Sequence, residues 1–284
     1  SSQKRKEILF QLVKVCSRLD RFGISDANLK GFKWIEMLEA NHSLSQKEEW
    51  QVNEMKALLL NERGNQDEFL PIWYKLLKQY READRPEEVG KCLLTIANHF
   101  IMLEDYENAL PLYKEAYQLA LEHKSIELQQ VSGIMLIKYL CGAGYYSESL
   151  EYYNKIKPEI AFNPSMQNEV VKSYMELNKP DSARIYLAAR LLSERGDKIV
   201  LNCMMAETYI PEGQEDSAFV FLDRAMKSYK EKAKNYQKQG KEAILPNCFL
   251  SPCYLFADLL WKKGKIQQAS QYLSLIHISE PTRH

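Results

Sequence analysis

The stretch Cys203-Met204-Met205-Ala206-Glu207-Thr208-Tyr209-Ile210-Pro211-Glu212-Gly213-Gln214-Glu215-Asp216-Ser217-Ala218-Phe219-Val220-Phe221-Leu222-Asp223-Arg224-Ala225-Met226 decides the fold. Cys203, Ala206, Tyr209 and Ile210 recur at three and four residues, which lines them along one face of a helix. Gly213-Gln214-Glu215-Asp216-Ser217-Ala218 then interrupts the pattern, and a second amphipathic run follows through Phe219, Leu222, Ala225 and Met226. Gly, Asn and Asp tolerate the left-handed or capping conformations that a short connection between helices requires. So short a link returns the second helix antiparallel to the first.

The same unit recurs on both sides. Glu104-Asp105-Tyr106-Glu107-Asn108-Ala109, Gly144-Tyr145-Tyr146-Ser147-Glu148-Ser149, Asn178-Lys179-Pro180-Asp181-Ser182-Ala183 and Gly264-Lys265-Ile266-Gln267-Gln268-Ala269 repeat the turn, each ending on a small residue. Gly64-Asn65-Gln66-Asp67-Glu68-Phe69 is a looser copy. Successive end points lie 40, 40, 34, 35 and 51 residues apart. Ala97, Ala206 and Ala257 on the first helices, with Ala109, Ala183, Ala218 and Ala269 on the second, predict axes that approach to about 8 Å. Pro71 and Pro111 fall two residues beyond Phe69 and Ala109, early in their helices, where a slight kink is expected.

The pattern resembles the tetratricopeptide repeat, whose period is 34 residues. It has an apolar residue late in the first helix (Phe100, Leu140, Tyr174, Tyr209, Leu260), small residues at the crossing, and an apolar residue in the second helix (Tyr113, Tyr153, Leu187, Leu222). The resemblance covers roughly residues 49–272 and implies an all-α fold, an α-solenoid of antiparallel helix pairs wound as a right-handed superhelix. The family's early Trp is missing, and Ile137 and Val171 replace the small residue of the first helix in two copies, so those pairs are expected to cross more widely. Residues 1–48 read as two further helices, around Arg5–Leu19 and Ala27–Ala40, forming a divergent first unit or cap. The last segment, residues 273–284, resembles translated sequencing adapter, which would make the natural chain longer than this fragment.

Lys plus Arg balances Asp plus Glu at 38 each, which argues against a general binder of phosphate backbones. No apolar run reaches the roughly 18 residues of a membrane span. The six cysteines (Cys16, Cys92, Cys141, Cys203, Cys248, Cys253) stand singly in apolar helical patterns without metal-ligand spacing, a usage that suits a reducing compartment. His42, His99 and His123 are far apart, and His99 reads as a satisfied core residue. Neither HExxH, GxSxG nor a phosphate-binding glycine loop occurs, and Gly142-Ala143-Gly144 reads as a turn between paired helices. No cofactor and no catalysis are expected. Lys227, Lys230, Lys232, Lys234, Lys238 and Lys241, with Tyr229 and Tyr236, read as a long second helix with a solvated lysine face.

In a solenoid each unit packs on its neighbours and leaves an extended concave surface. The resemblance implies that first helices line it, with Asn98, Lys138, Asn168, Lys172, Glu207 and Asp258 as its inward polar positions, ready to hydrogen-bond an extended peptide or a partner helix. Leu94 stands where the family's chaperone-binding carboxylate clamp has its first Lys, so that activity is not implied. The Asp-Ser-Ala turns, abundant Tyr and Lys, and the inserts are similar to the repeat regions of Bacteroidota membrane-tethered sensor-regulators, which implies a signalling role on the periplasmic side. A cytoplasmic adaptor or peptide-responsive regulator is the other expectation, and the cysteine usage favours it.

Overall fold

The computed structural model describes residues 2–19, 26–62, 66–156, 166–193, 197–239 and 250–279. Among the described residues there are fourteen α-helices and no strand. They are α1 (Ser2–Leu19), α2 (Ala27–Asn41), α3 (Gln46–Glu62), α4 (Gln66–Glu82), α5 (Pro86–Met102), α6 (Tyr106–Glu122), α7 (Ile126–Gly142), α8 (Tyr146–Lys155), α9 (Gln167–Glu176), α10 (Pro180–Leu192), α11 (Lys198–Glu207), α12 (Glu215–Lys238), α13 (Leu250–Lys262) and α14 (Ile266–Ser279). The chain divides into two compact units, residues 1–136 and 137–284, each built from helices that pack on their neighbours in sequence.

The helix ends explain the regularity. After the first helix of each pair one residue takes positive φ: Glu104 (58°), Gly144 (85°), Asn178 (53°), Gly213 (69°) and Gly264 (72°). The next N–H then reaches back to the last turn, Asp105 to Phe100 O (2.9 Å), Tyr145 to Leu140 O (2.8 Å), Lys179 to Tyr174 O (2.9 Å), Gln214 to Tyr209 O (3.1 Å) and Lys265 to Leu260 O (2.9 Å). This is the Schellman arrangement, which satisfies carbonyls that a helix terminus leaves free. Asp84 and Lys124 close the turns after α4 and α6 in the same way, through Arg85 to Tyr80 O and Ser125 to Ala120 O (both 3.0 Å). Glu104 and Lys124 were not among the residue types expected at a left-handed position. The fold imposes that backbone conformation whichever side chain stands there.

The small residues sit where spacing placed them. Ala97, Ala109, Ala183, Ala206 and Ala218 are 0 % exposed, Ala257 and Ala269 no more than 3 %. Where Ile137 replaces the small residue of a first helix, Ser149 on α8 is buried opposite and its hydroxyl donates to Ile137 O at 2.8 Å. Helices α4 and α6 continue through Pro71 and Pro111.

In the first unit, Trp50, Phe69, Trp73, Leu76, Tyr80, Cys92, Leu93 and Ile96 form one apolar core. The looser copy has Phe69 at the crossing, 2 % exposed, with its ring stacked on His99 at 4.8 Å. Gly64 and Asn65 of that turn lie outside the described residues. The two N-terminal helices pack Leu9, Val13, Ile35 and Leu38 on Val52 and Leu59 of α3. At the start of α3, Glu48 accepts from Ser45 N (2.7 Å), Ser45 Oγ (2.8 Å) and Lys6 Nζ (2.7 Å), so its carboxylate satisfies the backbone N–H before the helix and pairs with a cation. These bonds hold the Glu48 carboxyl down at about 2, the lysine's being the largest influence. Helix α14 extends to Ser279, and residues 280–284 of the tail lie outside those described.

Candidate binding surface

Lys138, Lys172, Glu207 and Asp258 each stand eleven residues before the small crossing residue of the following helix (Ser149, Ala183, Ala218, Ala269). The residue before each is buried against that crossing: Ile137 0 %, Val171 7 %, Ala206 0 %, Ala257 3 %. One step along a helix turns a side chain by about 100°. Lys138, Lys172 and Glu207 are accordingly exposed and Asp258 half-buried. Asn168, one turn before Lys172, is exposed as well. The first helices of the second unit thus carry a repeating polar position flanked by apolar ones.

The electrostatics along this register are graded. Lys138 Nζ lies 5.3 Å from the centroid of the Tyr139 ring, and Lys172 Nζ lies 6.0 Å from that of Tyr146 on α8. Glu207 is exposed, yet desolvation by the surrounding protein raises its carboxyl pKa. Asp258 pairs with Lys262 at 3.0 Å. Among the described residues no hydrogen bond or ion pair joins any two of the six expected positions. In the first unit Asn98 is exposed at the equivalent register, and its Oδ1 accepts from the Tyr113 hydroxyl across the α5–α6 pair.

Sequence reading missed Tyr254. It lies one turn before Asp258, as Asn168 lies before Lys172, and is 61 % exposed. Helical spacing alone does not separate an exposed tyrosine from a core one.

Behind this surface, α8, α9 and α10 enclose a polar cluster. Arg190 is 1 % exposed, and the Gln167 side-chain oxygen accepts from its Nε at 3.2 Å once the amide is oriented by the hydrogen-bond network. The Tyr153 and Tyr186 rings meet edge to face at 5.8 Å, and burial raises both phenol pKa values. On the next pair, Arg184 donates to Thr208 O (2.7 Å) at the end of α11, stacks over Tyr209 (4.0 Å to the centroid) and pairs with Glu212.

Other expected features resolve as scaffold. His99 is 4 % exposed, and its Nε2 lacks a hydrogen-bond partner among the described residues, so it is buried without being fully satisfied. The five described cysteines are buried and form no disulfide with one another, with burial pushing Cys92 and Cys253 each up to about 12; Cys248 lies outside the described residues. On α12, Lys227 pairs with Asp223 (2.7 Å), Lys232 with Asp197 (3.4 Å), and Lys230 lies 5.6 Å from the Tyr272 ring centroid. Tyr229 packs on the cluster of Cys203, Met226 and Cys253, while Lys241 lies outside the described residues. Among the described residues no cluster of potential ligands could hold a metal ion, and no helix is long and apolar enough to cross a membrane.

No protein-family model matches the chain, and no curated protein matches it. Solved structures do. Apo RapI aligns over 95 % of this chain and 97 % of its own at 13 % identity, TM-score 0.53. The apo quorum sensor NprR from B. thuringiensis aligns over 94 % of this chain and 87 % of its own at 14 % identity, TM-score 0.50. A signal transduction ATPase with a tetratricopeptide repeat sensor, from Pyrococcus horikoshii, aligns over 99 % of this chain at 17 % identity, TM-score 0.49, and this chain spans 37 % of that protein's length. The shared property is the fold: an all-α tetratricopeptide-type solenoid of antiparallel helix pairs.

Proposed function

We propose that this chain is a non-catalytic scaffold that binds a protein or peptide through the first helices of its second unit, as the sensing or interaction region of a larger signalling regulator. The observation that carries the reading is the polar register itself. Lys138 and Lys172 are basic, Glu207 and Asp258 acidic, and each stands beside a buried crossing residue. An extended peptide that is acidic towards the lysines and basic towards the carboxylates complements that order. Exposed Tyr254 and the ring of Tyr146 beside Lys172 supply apolar contact that excludes water around the charged pairs. The likeness to a quorum sensor favours a peptide-responsive regulator as the second form of the same reading.

A peptide-display selection on the wild-type chain and on Lys138→Glu plus Lys172→Glu tests it. The wild type is expected to enrich peptides with an acidic segment ahead of a basic one, and the double variant to lose them about tenfold or more, the effect of 1.4 kcal/mol or greater. Identical enriched sets from the two proteins would sink the reading.

A further inference from the structure

Glu39 and His42 stand three residues apart at the end of α2, and Glu49 and Asn53 four apart on α3, so each pair shares one helical face. With Lys75 of α4 these side chains line a cleft of about 370 Å³ in the first unit. Leu44 and Val52 supply its apolar wall, and Val52 is anchored in the core at 1 % exposure.

Elsewhere in this unit, polar side chains from different helices meet. Lys6 pairs with Glu48 at 2.7 Å, the Tyr80 hydroxyl donates to Glu54 at 2.7 Å, and Arg81 pairs with Glu115. Around the cleft they do not. Among the described residues, the side chains of Glu39, His42, Glu49, Asn53 and Lys75 form no hydrogen bond and no ion pair, although both signs of charge are present. His42 Nε2 is buried without a partner, a desolvated group that the scaffold leaves unsatisfied. The helices thus hold opposite charges around one space without letting them neutralise each other.

We propose that this cleft binds a free basic amino acid. Its lining offers two carboxylates and one ammonium, and L-lysine carries the inverse set, two ammonium groups and one carboxylate. Glu39 and Glu49 receive the two cationic groups, Lys75 receives the α-carboxylate, and the aliphatic stem lies on Leu44 and Val52. The Asn53 amide adds hydrogen bonds, and the His42 ring, held by no bond, turns about its terminal torsion to present a nitrogen to the ligand. Glu39, Glu49 and Lys75 are exposed, so each charge contact is screened by water. Binding is accordingly weak, with Kd roughly 1 mM at low salt.

Saturation-transfer NMR on the whole chain, titrated with L-lysine to about 20 mM, tests the proposal. Glu39→Gln plus Glu49→Gln is expected to abolish saturation, and Lys75→Met to weaken L-lysine about fivefold. Cadaverine, which lacks the carboxylate, is expected to bind the wild type less tightly than L-lysine and to lose nothing in Lys75→Met. Lys91→Met, an exposed charge change on α5, leaves L-lysine binding intact, and circular-dichroism melts show that every variant is folded. A wild type that L-lysine does not saturate overturns the proposal. So does binding that survives the double glutamine change, or that Lys91→Met weakens as much as Lys75→Met does. Equal affinity for Nα-acetyl-L-lysine would mean that the free α-amine is unused, and equal affinity for L-glutamate that the carboxylates select nothing; either also overturns it. The cleft lies in the first unit, so these outcomes are independent of the peptide reading, which concerns the second.

Discussion

Between α5 and α6 the space is filled by Leu93, Ile96, Ala97, Ala109 and Tyr113, all 0 % exposed, whereas the helices α9 and α10 enclose Gln167, Ser173 and Arg190 at 5 %, 0 % and 1 %. Both hairpins end in the same Schellman turn, at Glu104 and Asn178. Identical backbone geometry thus accommodates an interior filled by apolar volume and an interior that also buries polar side chains. The first kind tolerates any apolar side chain of the right size. The second depends also on the bonds its buried polar groups form, as between Gln167 and Arg190.

Substitution should separate the two. Leu93→Ala removes buried methyl groups from a packed core and is expected to cost about 2–5 kcal/mol, while Leu93→Met, which conserves volume, costs under about 1.5 kcal/mol. Arg190→Met also roughly conserves volume, yet it strands the Gln167 oxygen, and the expected loss is about 1–3 kcal/mol. Urea denaturation of the three variants decides the matter. If Arg190→Met were no more damaging than Leu93→Met, the polar interior would contribute nothing specific and the contrast would fail.

The crossing is the feature the hairpins share, and overpacking it tests whether they share it equally. Ala218→Leu adds three carbons at a fully buried contact and is expected to cost about 1–3 kcal/mol. A thermal melt unchanged by Ala218→Leu would place the helices farther apart than the alanine register requires.

The turns differ more subtly. Gly213 takes φ 69° with open space around its α-carbon, so Gly213→Ala meets no atom and pays only for the left-handed backbone, about 1–2 kcal/mol. Glu104 already carries that strain at φ 58°, and Glu104→Gly is expected to gain about 0.5–1 kcal/mol. Opposite signs from the two substitutions, read from urea midpoints, would confirm that the turn geometry precedes the residue that fills it.

That point also marks what was legible beforehand. Helix pairing, the crossing alanines and the N-terminal hairpin follow from periodicity and small residues, which register the same interior every time. Pro71 and Pro111 marked equivalent places for the same reason. Left-handed Glu104 and Lys124 carried no local signal, because tertiary packing overrides their intrinsic preference. The Arg190 cluster was equally silent, since Gln167 and Arg190 are residue types that ordinarily stand on helix surfaces. Of the candidate surface, the polar positions one step from the buried crossing residues were readable from register. Tyr254 was not, since an exposed tyrosine and a core tyrosine have the same spacing.

The apolar hairpin has its own liability in His99, buried beside Phe69. Desolvation by burial holds its pKa below the ordinary 6.5, so the folded chain binds that proton less readily than the unfolded chain. Stability therefore rises with pH wherever the unfolded chain is the more protonated, and the contribution is complete above about 6.5 and lost as pH falls below it. Glu48 acts in a separate window: its carboxyl is lowered from 4.5 to about 2, so its contribution is present above 4.5 and is lost between those values. Urea midpoints between pH 7.5 and 5 should decline in the wild type and decline less in His99→Phe, which keeps an aromatic ring against Phe69 without a titrating nitrogen. Parallel midpoint curves for the wild type and His99→Phe would mean that the imidazole is solvated in both states, and that the interior of the apolar hairpin is wetter than its packing implies.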